Sequence, residues 1–162
     1  MKRKTWFLLI GVGIAIVVGG ALLWNTRILV LQLENTDRGR MVRLPIKPAE
    51  RFSIYYVHSI HHEPVIEEFE AHPDTIILKG VRTKSPAIAE QYGWDDSKSF
   101  HPMDEKLGAI FFRVAHGEGQ GLILRDKKIY LSEIGEGGDR IQLSVRSLSL
   151  GSYLFSKLSD AI

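Results

Sequence analysis

Three of the chain's six histidines and four acidic residues fall within one stretch, Arg51 to Ala71, RFSIYYVHSIHHEPVIEEFEA. These residue types offer several chemistries. His58, His61, His62, Glu63 and Glu67 lie close together, and imidazole with carboxylate suits zinc, copper or nickel. His61 and His62 are adjacent, however, so they point apart in extended chain, and the spacing matches no compact motif such as HExxH. That leaves His61, His62 and Glu63 as metal candidates without a motif. His58 and Glu67 could serve as acid and base beside an open cleft. His58 and Ser59 cannot be base and nucleophile, because neighbours on a strand project to opposite faces, and no GxSxG setting is present. No catalytic residue is therefore assigned, and no cofactor is implied.

The stretch predicts two strands joined by the turn SIHHEP. Pairing His58 with Val65 puts Tyr56 opposite Glu67 and Ile54 opposite Phe69. One face then carries Phe52, Ile54, Tyr56 and His58 with Val65, Glu67, Phe69 and Ala71, and it is the more apolar face, so it should meet the core. A carboxylate at a core-facing position is costly unless paired. Glu67 is thus expected beside His58, Tyr56 or both. The cluster Tyr56, His58, Ser59 and Glu67 is either a polar closure of the turn or the lining of a small-ligand site.

Elsewhere, the pattern is one helix followed by strands. Trp6 to Trp24, WFLLIGVGIAIVVGGALLW, is uncharged and free of proline, and as a helix it rises about 28 Å, close to the hydrocarbon thickness of a bilayer. Lys2, Arg3 and Lys4 precede it against Arg27 alone beyond it, so the positive-inside bias keeps the N-terminus in the cytoplasm and exports the rest. Gly19 and Ala21 offer a signal-peptidase alternative. The run exceeds the usual h-region of roughly 7–15 residues and has tryptophan at both ends, which favours an uncleaved anchor over residues 1–27 and a single-pass cell-membrane protein.

From Ile28 onward, short alternating or apolar runs recur between turn signals. They predict an extracytoplasmic domain over 28–162: an all-β antiparallel sandwich or open barrel of about 8–9 short strands. Ser85 and Pro86 open a short helical segment running towards Gly93. WDDSKSFHPMDEKLG reads as an irregular loop, in which Asp95 and Asp96 with His101 could bind a cation, although solvated loop charge is the usual reason for such residues. The glycines around His116 suit a hairpin. Leu150, Leu154 and Leu158, four apart, suit a terminal helix lying on the sheet.

Charge excludes one large class of partner. Lys2, Arg3, Lys4 and Arg27 are four of the 21 basic residues, leaving 17 against all 19 acidic ones in the exported part, so nothing there tracks a nucleic-acid backbone. The chain has no cysteine, which removes disulfides, thiolate metal sites and a cysteine nucleophile.

Tyr56, His58, Ser59, Pro64, Val65, Glu67 and Phe69, standing as YVHSIHHEPVIEEF, resemble the signature of a bacterial family without assigned function. Its members are small, exported or tethered by one N-terminal helix, and frequently encoded beside TRAP transporters of the TAXI class. Members tend to follow the hairpin and next strand with a glycine-rich segment, where this chain has AEQYGW. The resemblance implies an accessory protein on the outer face of the membrane, touching the permease or the solute-binding protein of such a transporter. The expected contact residues are His61, His62, Glu63 and Pro64 in the hairpin loop and Trp94 in the loop from Tyr92 to Asp104. The alternative is a small-ligand or metal-binding module centred on His58, Glu67 and Tyr56. An acid–base enzyme is the remaining reading.

Overall fold

A computed structural model of the chain describes residues 2–95, 98–115 and 119–159. The chain opens with α1 (Lys2–Asn25), which from Trp6 to Trp24 is apolar on every side and, apart from Gly19, exposed. Its stretch Trp6–Asn25 has a mean hydropathy of 2.5, long and apolar enough to cross a membrane.

Ten strands follow, in two antiparallel sheets. The first sheet holds β1 (Arg27–Asn35), β2 (Met41–Ile46), β7 (Ile110–Arg113) and β10 (Arg140–Ser149) in the order β2-β1-β10-β7. The second holds β3 (Arg51–Val57), β4 (Pro64–His72), β5 (Thr75–Thr83), β6 (Phe100–Leu107), β8 (Gln120–Leu124) and β9 (Lys127–Tyr130) in the order β6-β5-β4-β3-β8-β9. Helix α2 (Pro86–Gln91) lies between β5 and β6 in sequence, and α3 (Leu150–Ser159) ends the described chain. One core joins both sheets: Leu31 and Leu33 of β1 and Ile141 and Leu143 of β10 cluster with Phe52, Ile54, Val65 and Phe69. Alternation along β3 and β4 supplies the inward face of the larger sheet, whereas β1 and β10 each bury three residues in a row, Leu29 to Leu31 and Leu143 to Val145. The architecture is the expected sandwich-like all-β fold behind one N-terminal apolar helix.

Three local expectations give way. The segment read as an irregular loop contains β6, whose FHPMDEKL pattern is polar because it is an edge strand, where proline and charge are tolerated and discourage pairing with other chains. The run Lys128 to Ile134, KIYLSEI, reads as one strand, but the strand stops at Tyr130, and a single 3₁₀ turn, Leu131–Glu133, buries Leu131 instead. In the terminal helix Leu154 and Leu158, expected to be covered, are 42% and 66% exposed. Helices α1 and α3 with the adjoining strand ends form one compact unit, and Leu29–Arg146 forms the other.

The central strands pair as Tyr56↔Val65, Ile54↔Glu67 and Phe52↔Phe69. This differs by two residues from the pairing of His58 with Val65. Because side chains alternate with a period of two, a two-residue offset changes every pair and leaves both faces intact. The cause is the turn: His58 N–H donates to the Glu63 carbonyl at 2.9 Å and His62 N–H to the His58 carbonyl at 2.8 Å, so His58 begins the turn and Val57↔Pro64 is the last pair.

On the other side of β3, Tyr55 pairs with Gly121 of β8. A Cβ at Gly121 would lie 2.5 Å from the Ile129 carbonyl oxygen and 2.5 Å from the Tyr55 hydroxyl, so the ring covers a position that only glycine fills. Replacing it forces backbone apart within the sheet. Gly121→Ala is expected to destabilise the domain by about 1–3 kcal/mol, as overpacking does. Thermal unfolding of the full chain in mild detergent, with Gly108→Ala as a control whose Cβ meets nothing within 4 Å, measures it; equal melting temperatures for the two variants would contradict the packing argument.

Candidate functional site

The inward face of the hairpin is apolar up to Glu67. Phe69, Val65 and Ile54 are buried, whereas Glu67 and Tyr56 are only partly so, at the margin of the core. The Tyr56 hydroxyl donates to Glu67 Oε1 at 3.2 Å, reaching across the diagonal of the strand pair. A second hydroxyl converges on the same oxygen: Tyr92 Oη lies 3.4 Å from Glu67 Oε1 and 3.0 Å from Tyr56 Oη.

Tyr92 arrives there by a local device. Helix α2 begins with Pro86 at its first turn and ends at Tyr92, after which Gly93 takes φ = 81°. Gly93 N–H donates to the Glu90 carbonyl at 2.8 Å and Trp94 N–H to the Ala89 carbonyl at 2.9 Å, the Schellman arrangement that stops a helix. Behind Tyr92 the rings continue as a stack: Trp94 lies 4.8 Å from Tyr92 and 3.9 Å from His101, all nearly parallel. His101, on β6, is buried. The glycine that ends α2 thus sets Tyr92, and the stack holds its ring in place.

Two cavities adjoin the cluster and share Tyr56 and Gln120 in their walls. One, of about 320 Å³, is lined by Glu67, Tyr56, Gln120, Ile54, Ile110, Phe111 and Phe112, so it lies between the two sheets at the β7 edge. The other, of about 470 Å³, is lined by Tyr56, Val57, His58, Ser59, Gln91, Tyr92, Ala115 and Gln120. Gln120 Oε1 also accepts from the Ala115 N–H at 2.9 Å, which braces the wall of the second cavity.

Comparison with known proteins returns no match to any family model, curated protein or solved structure.

Of the residues nominated from sequence, Tyr56 and Glu67 are in direct contact, and Tyr56, His58 and Ser59 line one cavity. His58 does not pair with Glu67 as the pairing of His58 with Val65 had suggested. Its Nδ1 accepts from the N–H groups of Ile60 and His61 at 3.4 and 3.5 Å, and its ring sits 5.1 Å from that of His61, because His58 belongs to the turn and not to the strand. His61, His62 and Glu63 are exposed on that turn, and Pro64 is exposed where β4 begins. Among the described residues no group of three or more His, Asp or Glu side chains converges as metal ligands. Trp94 is half-buried within the aromatic stack, and Asp95 is exposed. Asp96 and His116 lie outside the described residues. Tyr92 and Gln120 were not nominated; the signal for Tyr92 was the helix-stopping glycine directly after it.

Burial pushes the Glu67 carboxyl above its ordinary value, against the two tyrosine hydrogen bonds, which pull it down. Burial also raises both phenols, with the carboxylate beside them adding to the shift, so the tyrosines stay protonated donors. The sign of the linkage follows. An acid whose folded pKa is raised is easiest to accommodate when protonated, so its favourable contribution is complete below the unfolded value and is lost as pH rises through the folded one. Glu67→Gln removes that loss. The melting temperature of the variant relative to the parent is expected to rise as pH increases above the ordinary value of 4.5. Thermal unfolding across a pH series checks it, and a difference that stays constant with pH contradicts the raised carboxyl.

Proposed function

We propose that this chain is a membrane-tethered module that holds a small ligand with an ammonium or comparable hydrogen-bond donor on an apolar body, seated beside Glu67. The observation that carries the reading is the charge balance of the seam. Glu67 forms part of a cavity whose other described walls are Ile54, Ile110, Phe111, Phe112, Tyr56 and Gln120, with no basic side chain among them. A partly buried carboxylate without a cation is costly, and a cationic ligand supplies the missing charge while the phenylalanine and tyrosine rings accept its apolar body and its positive field. The volume suits a small solute. Such a ligand binds the ionised carboxylate, so protons compete with it, and affinity falls as pH drops below the raised Glu67 pKa.

Thermal shift of the full chain in detergent, with short alkylammonium and aryl-alkylammonium salts at millimolar concentration beside their isosteric alcohols, tests this. The amines are expected to raise the melting temperature more than the alcohols, and Glu67→Gln is expected to abolish the difference. No shift with any amine, or an equal shift in Glu67→Gln, would falsify the reading.

A second reading, contact with a solute transporter of the TAXI-type TRAP class at the outer face of the cell membrane, is supported by a different feature. The turn beyond β3 displays Ile60 at 72% exposure, with His61, His62, Glu63 and Pro64 exposed beside it. An apolar residue at the tip of a polar turn suits a protein contact. The apolar helix, the Lys2, Arg3 and Lys4 charges before it and the hairpin resemblance support this placement, with the N-terminus cytoplasmic. Co-purification of the tagged full chain from detergent-solubilised membranes is expected to retain a permease or solute-binding component, and Ile60→Asp is expected to reduce that yield several-fold. Retention of no transporter component by the parent chain counts against the contact.

A further inference from the structure

We propose that α3 lies in the interfacial layer of the bilayer as a second membrane attachment beside α1. The inference rests on the reading of α1 as a membrane-spanning helix. Within their shared compact unit the two helices are joined at one end: the Leu150 N–H donates to the Thr26 carbonyl at 2.8 Å, so α3 starts where α1 has just stopped. Thr26 in turn caps α1, its Oγ1 donating to the Leu22 carbonyl at 2.8 Å. The approach is close enough that a Cβ on Gly151 would overlap Cε3 of Trp24. Gly151 therefore admits the tryptophan ring against the α3 backbone.

The helical repeat makes this contact informative. Positions 151, 154, 155 and 158 share one face of α3, spaced i, i+3, i+4, i+7. The residues that follow Gly151 on that face are Leu154, Phe155 and Leu158, exposed at 42%, 70% and 66%. Ser152, Ser156 and Lys157 lie on the other side. The exposed apolar stripe is thus continuous with Trp24, itself 65% exposed and the aromatic residue at the end of the apolar span. Trp24 is the type of residue that marks the headgroup level, and a helix that starts beside it with an apolar stripe on the Trp24 side presents that stripe at the same depth. The occupant that fits is the boundary between headgroups and acyl chains, with Lys157 free to reach the phosphates.

The absence of cysteine gives a direct test. Single-cysteine versions of the full chain, Phe155→Cys, Ser152→Cys and Ile14→Cys, are labelled with an environment-sensitive fluorophore and reconstituted into phosphatidylcholine vesicles. Quenching is read with doxyl lipids labelled near the glycerol or deep in the acyl chain, and with aqueous iodide. The label at position 155 is expected to be quenched several-fold more by the shallow lipid than the label at 152, which iodide should reach instead. The label at 14 is expected to respond to the deep lipid. If 14 responds and 155 does not, α3 is not interfacial whether iodide reaches it or protein covers it. If 14 itself is open to iodide, the reading of α1 as a span fails and takes this one with it.

Discussion

The stacked rings of Phe52 and Phe69, 5.3 Å apart and inclined by 18°, fix the register of the two central strands of the larger sheet, and the candidate site depends on that register. Both side chains are almost fully buried. A slip of one residue would bring Ser53, Tyr55, Glu68 and Glu70 to the inner face, which the core cannot accept. With Phe52 opposite Phe69, the next inward pair towards the turn is Ile54 opposite Glu67, and the one after is Tyr56 opposite Val65. The carboxylate therefore stands one step past the aromatic pair, where the core thins and a tyrosine on the diagonal reaches it. Its position follows from the register that the turn's hydrogen bonds set and the two phenylalanines lock.

Burial elsewhere shows what a purely structural polar residue looks like in this fold. Asn35 is fully buried at the end of β1, yet its Nδ2 donates to Asp139 Oδ2 at 2.8 Å and to the Ile134 carbonyl at 3.4 Å, while its Oδ1 accepts from the N–H groups of Asp37 and Arg38. Every hydrogen-bonding site of that amide is used, as burial demands. The ion pairs around it, Arg38 with Asp139 and Glu136 and Arg140 with Asp37, include exposed partners and add little stability of their own. They align the β1–β2 turn with the start of β10. Glu67 differs in kind, since both hydroxyls that meet it converge on one oxygen and a cavity adjoins it.

Which features were legible in the sequence follows from what period and composition encode. Alternation has a period of two, so the inward faces of β3 and β4 could be read correctly with the pairs themselves two residues out. The pairing is set by the turn, where His62 adopts φ = 54°, and no glycine at that position announces it. For the same reason His58 was placed on a strand when it opens the turn. β6 escaped notice because an edge strand needs neither alternation nor apolar content, and Pro102, Asp104, Glu105 and Lys106 look like loop. For Tyr92 the glycine after it marks a helix end but not a partner: the tyrosine lies 25 residues from Glu67 in sequence, and only the fold brings the end of α2 to the hairpin.

Counting protons at the cluster clarifies what Glu67 can do. Three oxygens make three contacts, at 3.0, 3.2 and 3.4 Å. The two phenols bring one proton each, so with an ionised carboxylate one of the three contacts has no proton between its oxygens. A proton on Glu67 completes the ring of donors and acceptors, which agrees with the upward shift that burial imposes. On the proposed reading, a ligand that donates to the carboxylate leaves the Tyr56–Tyr92 contact without a proton and instead supplies a positive charge that the described cavity walls do not carry. Proton and ligand then compete for the same carboxylate charge, and with the ligand bound both tyrosine hydroxyls donate to a carboxylate whose charge is balanced. The competition requires no movement of the sheets, because Tyr92 is already held by the Schellman turn and the stack on Trp94 and His101. On the proposed reading, this brace holds both hydroxyls in place for a donor that arrives through the cavity.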